Sequence, residues 1–70
     1  MLDLVECHSG FDYAERPVAF YWDGQRIEVE SILAEWRTPE HKGFRVQTAD
    51  GSVFQLIYDQ AMDTWEVAAI

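Results

Sequence analysis

Cys7 and His8 stand side by side, and His41 is the only other imidazole, so nucleophilic or metal chemistry here has to use these three side chains and the carboxylates. A thiolate and an imidazole act as nucleophile and base only where they meet. Neighbouring residues of an extended strand point to opposite faces, so Cys7 would need His41 as its base, and no spacing in the chain brings the two together. Cys7 therefore reads as a small, half-buried side chain on a first strand. Structural zinc usually takes four Cys or His ligands, more than Cys7, His8 and His41 supply. The carboxylates follow no ligand spacing either: there is no Asp-x-Asp-x-Asp-Gly loop, and Asp59 with Asp63 lacks the glycine and terminal Glu of a calcium loop. Glu28 and Glu30 share one strand face and could pair across the sheet with Arg16 or Arg45, as solvated faces do. With no phosphate-binding glycine loop and no nucleophile elbow, the expectation is a protein with no catalytic residues, no metal and no cofactor, and not an enzyme.

Basic side chains are few but clustered. Arg37, Lys42 and Arg45 gather with His41 around the connection between Trp36 and Phe44. Arginine beside aromatic residues is enriched at interface hot spots, so Tyr21, Trp36, Arg37, His41, Lys42 and Arg45 are the candidate partner-binding residues. The plainer alternative is that these cations only offset Glu35 and Glu40.

The chain that must carry this surface has 70 residues, 49% of them apolar, with thirteen Asp and Glu against five Lys and Arg and a net charge of −8. That is one small domain, residues 1 to 70, burying about 60% of the surface its unfolded form exposes. The charge opposes nucleic acid and anionic lipid, which makes nucleic acid the less favoured partner. One cysteine cannot form an internal bridge, Asp3 and Glu6 leave no basic leader, and no run nears 18 apolar residues. The expected setting is the cytoplasm, with no membrane contact.

Turn signals are spaced like those of a sheet protein. A first strand is expected over about residues 2 to 7, then a loop over 9 to 16 that ends at Pro17. Residues 17 to 22 alternate as a strand with Val18, Phe20 and Trp22 on one face, and Asp23-Gly24 supplies the positive backbone angles of a tight hairpin into residues 25 to 30. Val29, Ile32, Leu33 and Trp36 fit a helical face as well as a bent strand, and a bulge near Ser31 that keeps Leu33 inward is the preferred reading. Thr38-Pro39 breaks the chain, Gly43 ends the loop, and strands from Phe44, over 54 to 58 and over 65 to 69 follow, joined by turns at 49 to 52 and 59 to 63. The fold class is mainly β: a small antiparallel meander curled into a half-open, SH3-like barrel. The alternative is an open antiparallel sheet with one short helix near 29-36. The expected core is Val18, Phe20, Trp22, Ile27, Val29, Leu33, Phe44, Val46, Phe54, Leu56, Trp65 and Val67, leaving Tyr21, Ile32, Trp36 and Ile57 on the opposite faces.

Glu15-Arg16-Pro17, Phe20-x-Trp22-x-Gly24, Ile27-x-Val29, Ile32-Leu33-x-x-Trp36, Phe44-x-Val46, Asp50-Gly51 and Trp65-x-Val67 together form a pattern over about residues 10 to 67. It resembles a group of small uncharacterised bacterial cytoplasmic proteins, related-looking domains of which accompany some Y-family DNA polymerases. The matching positions are core and turn residues, so the resemblance implies a shared fold and brings no catalytic residues. This chain has no polymerase domain, and its acidic balance departs from a DNA-contacting role. The expected function is a protein-interaction module without catalytic activity, docking through exposed aromatics or an unpaired strand edge. The alternative is a nucleic-acid accessory domain linked to DNA repair, using Arg37, Lys42 and Arg45 with aromatic stacking. An enzyme or small-ligand binder ranks last, because a barrel this small has little room for a pocket.

Overall fold

The computed structural model describes residues 5–7 and 16–70, all strand and turn. Six strands, β1 (Val5–Cys7), β2 (Pro17–Trp22), β3 (Gln25–Arg37), β4 (His41–Thr48), β5 (Val53–Asp59) and β6 (Thr64–Ala69), lie in chain order in one antiparallel sheet. The sheet curls into a half-barrel, as the meander of short alternating strands predicts. Residues 2 to 4 of the expected first strand, and the expected loop apart from Arg16, lie outside the described residues, as does the side chain of Cys7.

The turns follow their residue types. Asp23 (φ 53°) and Gly24 (φ 77°) are both left-handed, and Trp22 pairs directly with Gln25 across them. That is the two-residue turn whose twist suits a hairpin. At the next hairpin, Gly51 takes φ 88° and its N–H donates to the Thr48 carbonyl, while the Thr48 N–H donates to the Ser52 carbonyl. The turn over 59 to 63 closes on Asp59, whose Oδ1 accepts from the Ala61 and Met62 amides, and ends at Asp63 with φ 55°.

β3 is one strand with two jobs. Its first half pairs with β2 and its second half with β4. The helix considered for 29-36 is absent. Ladder pairing shifts between Val29 and Ser31 and again between Ile32 and Ala34, so Glu30 and Leu33 are the extra, unpaired residues of two bulges. The bulges bend β3 across the barrel, so that Phe20 of β2 reaches Phe54 of β5 at 4.8 Å between ring centroids.

The core is Val5, Phe20, Phe44, Val46, Phe54 and Leu56, with Ile27, Val29, Ile32, Trp65 and Val67 packed partly buried against it. Three expected core residues are exposed: Val18, Trp22 and Leu33. For two of them the reason is a bulge. Leu33 is the extra residue of the second β3 bulge, and Val18 is skipped where the register steps from Glu6↔Ala19 to Cys7↔Pro17. Each bulge also reverses which residues face inward, so Ile32, expected outside, faces Val46 and packs on the core. Trp22 ends its strand at the turn and meets Phe54 edge-on at 5.3 Å, with about a third of the residue left exposed. Tyr58, absent from the expected core, is buried, and its hydroxyl donates to Asp63 Oδ1.

Candidate interaction surface

β4 begins at His41, three residues before the expected Phe44, because the turn from β3 needs only residues 38 to 40. The Thr38 N–H donates to the His41 carbonyl at 2.9 Å, and the His41 N–H donates to Thr38 Oγ1 at 3.1 Å. Gly43 is thus a strand residue and not the end of a loop. This early start decides where the basic side chains go.

Within β4, His41, Gly43 and Arg45 share the outer face, and Lys42, Phe44, Val46 and Thr48 share the inner one. Lys42 is consequently buried to 9% exposure, opposite Arg37 on β3 and Tyr58 on β5. No buried side-chain nitrogen among the described residues lacks a partner. Lys42 is therefore a core-flanking stem more than a rim charge. Arg37 lies on the inner-face register with it, at the exposed end of β3.

Trp36, His41 and Arg45 do come together on the outer face. Trp36 pairs with Gly43, and its indole lies flat where a Gly43 side chain would be: a Cβ built there would sit 2.1 Å from Trp36 Cε2 and 2.3 Å from Nε1. Gly43 has no left-handed backbone to explain it. The missing side chain is what lets the indole pack on the sheet. Arg45, one pair further along, is exposed between Ala34 and Gln55. His41 Nε2 lies 3.5 Å from Asp59 Oδ2 on the neighbouring strand.

Tyr21 belongs to a different surface. It lies on the outer face of β2 beside Glu6 of β1 and Arg26 and Glu28 of β3. Arg26 donates to Glu6 through Nε and Nη2, both at 3.0 Å, and to Glu28 through Nη1 at 3.3 Å, while the Tyr21 hydroxyl donates to Glu6 at 3.1 Å. The Arg26 and Tyr21 bonds hold the Glu6 carboxyl below the usual carboxylate range, and Glu6 in turn raises the Tyr21 phenol. This network spans Ala19, whose register neighbours are Glu6 and Glu28 and which is fully buried although it points away from the core.

One surface escaped the reading by residue type. At the Asp23-Gly24 end, the β2–β3 and β4–β5 hairpins leave a groove of about 510 Å³ lined by Trp22, Arg26, Ile27, Glu28, Asp50 and Phe54, among others. Asp50 is fixed there by the Thr48 hydroxyl and by the Ser52 amide at 3.1 Å, which lower its pKa. Counting Trp22 as core hid this groove; its place as the last residue before a two-residue turn was the available signal. Among the described residues, no group of three Cys, His, Asp or Glu side chains is placed to hold a metal, and no helix is long and apolar enough to cross a membrane. Comparison with protein-family models, curated proteins and solved structures gives no match.

Proposed function

We propose that this chain is a protein-interaction module without catalytic activity, working in the cytoplasm. One observation carries the reading: Tyr21, Trp22 and Trp36 are each more than a third exposed in a 70-residue chain. A domain of this size has little apolar area to spare, and aromatic side chains left half in solvent are the usual anchors of protein interfaces. The second β3 bulge adds Leu33 to the exposed apolar residues. The single cysteine favours a reducing compartment.

The nucleic-acid reading is weaker. The net charge of −8 repels phosphate, and Arg37 and Lys42 face away from Arg45 across the sheet. The test is affinity capture from the native cell extract, followed by titration of the recovered protein into the isotope-labelled chain. Shifts at the indoles of Trp22 or Trp36, or at Tyr21, are the expected result. Turnover of a small molecule, or tight salt-dependent binding of single-stranded DNA, refutes the reading.

A further inference from the structure

We propose that the groove at the Asp23-Gly24 end of the half-barrel docks an arginine-bearing extended segment of a partner protein, its guanidinium lying against Trp22. The floor is aromatic and partly open: Trp22 is 37% exposed and braced edge-on by Phe54 at 5.3 Å. A braced, exposed indole face attracts a flat cation, and arginine is the side chain that stacks on it most readily. The rim is acidic. Asp50 lines the groove, and Asp23 follows Trp22 into the turn at its end.

The one cation in the wall does not cancel Asp50 or Asp23. Arg26 is already engaged by Glu6 at 3.0 Å and Glu28 at 3.3 Å. Asp50 is oriented in advance by Thr48 and Ser52, so a guanidinium would meet a carboxylate that needs no ordering. Charge also selects the occupant. A second copy of a chain carrying −8 is repelled, as is nucleic acid, whereas a basic segment is steered in.

The site presupposes the interaction module proposed above, and the two can fail separately. A captured partner that binds elsewhere removes the groove and leaves the module. A captured enzymatic activity removes the module.

The experiment is a titration of the labelled full chain with acetyl-Gly-Arg-Gly-Arg-Gly-amide at about 50 mM salt, where surface charge is weakly screened. The Trp22 indole and the amides of residues 48 to 52 should shift, with the Trp36 indole and residues 59 to 63 unmoved. Asp23→Asn with Asp50→Asn should weaken binding about fivefold or more. Asparagine keeps the turn at both positions, since it tolerates the φ of 53° at residue 23 and retains an acceptor at residue 50. Glu40→Gln with Glu66→Gln changes the net charge by the same amount on exposed strand and turn positions outside the groove, and should leave affinity within about twofold. Equal weakening by both pairs would mean diffuse attraction to an acidic protein and would overturn the site. Shifts centred on Trp36, or none up to millimolar peptide, would overturn it as well.

Discussion

Replacing Gly43 by alanine puts a methyl carbon 2.1 Å from Trp36 Cε2, so the indole has to leave the sheet. Trp36 is 37% exposed, meaning that well over half of its surface is covered. For an aromatic that buries roughly 150–250 Å² in full, displacement re-exposes about 80 Å², or about 2 kcal/mol at 25 cal/mol per Å². Against this, removing a glycine from a strand interior gains about 0.5–1 kcal/mol by restricting the unfolded chain. The balance is a loss of about 1–1.5 kcal/mol, which for a domain of this length lowers Tm by about 4–12 °C. Urea denaturation and calorimetry on the variant measure it directly. The decisive comparison repeats Gly43→Ala in a Trp36→Ala background. With the indole gone, only the backbone gain remains, and the same substitution should stabilise by about 0.5–1 kcal/mol. Equal effects in both backgrounds, or a stabilised single variant, would refute the account of Gly43 as the seat of Trp36.

Tyr58→Phe removes the donor to Asp63 at a buried position and should cost about 1–2 kcal/mol in denaturant midpoint, with little change in slope. The Glu6 pKa is lowered in the fold, so its contribution is present above the ordinary value of 4.5 and is lost as pH falls through the depressed one. Glu6→Gln should therefore lower Tm at neutral pH and flatten its decline on acidification. Asp50 acts in the same direction below 3.8, so Glu6→Gln with Asp50→Asn should flatten the acid limb further. The same Glu6→Gln change should bring the Tyr21 phenol down toward its ordinary range, read by ultraviolet titration in alkali. Gly51→Ala forces a Cβ into a φ of 88° and should cost about 1–2 kcal/mol even though open space surrounds it.

Most of the fold was legible because its signals are local. Asp23-Gly24 and Asp50-Gly51 name their own turns, and alternation over 17 to 22 and 54 to 58 names the strands between them. The period-two pattern also carries the inward set Phe20, Phe44, Val46, Phe54 and Leu56 without help from the tertiary structure. What it does not carry is the number and exact place of the breaks in its own count: one was expected near Ser31, and the ladders hold three. Val18, Glu30 and Leu33 are skipped by ladder registers that exist only when two strands are laid together, and each skip reverses the faces beyond it. The bulge expected near Ser31 is there, between Val29 and Ser31, but a second at Leu33 leaves that residue exposed where the single expected bulge kept it inward, and Ile32 packs where that reading left it out.

The candidate site divides along the same line. Aromatic and basic residue types marked Tyr21, Trp36, Arg37, His41, Lys42 and Arg45, but proximity in the chain could not say which face each would take. The short turn at residues 38 to 40 starts β4 at His41, which sends Lys42 under the sheet and leaves His41 and Arg45 with Trp36 outside. Gly43 reads as a loop residue by type, and only the indole laid across it gives the reason for a glycine in mid-strand. Composition and charge belong to the sequence alone because they are sums over the chain, and turn chemistry because it acts over one to four residues. The bulges, the seat of Trp36 and the groove beside Trp22 belong to the tertiary structure, because each is a relation between strands far apart in the chain.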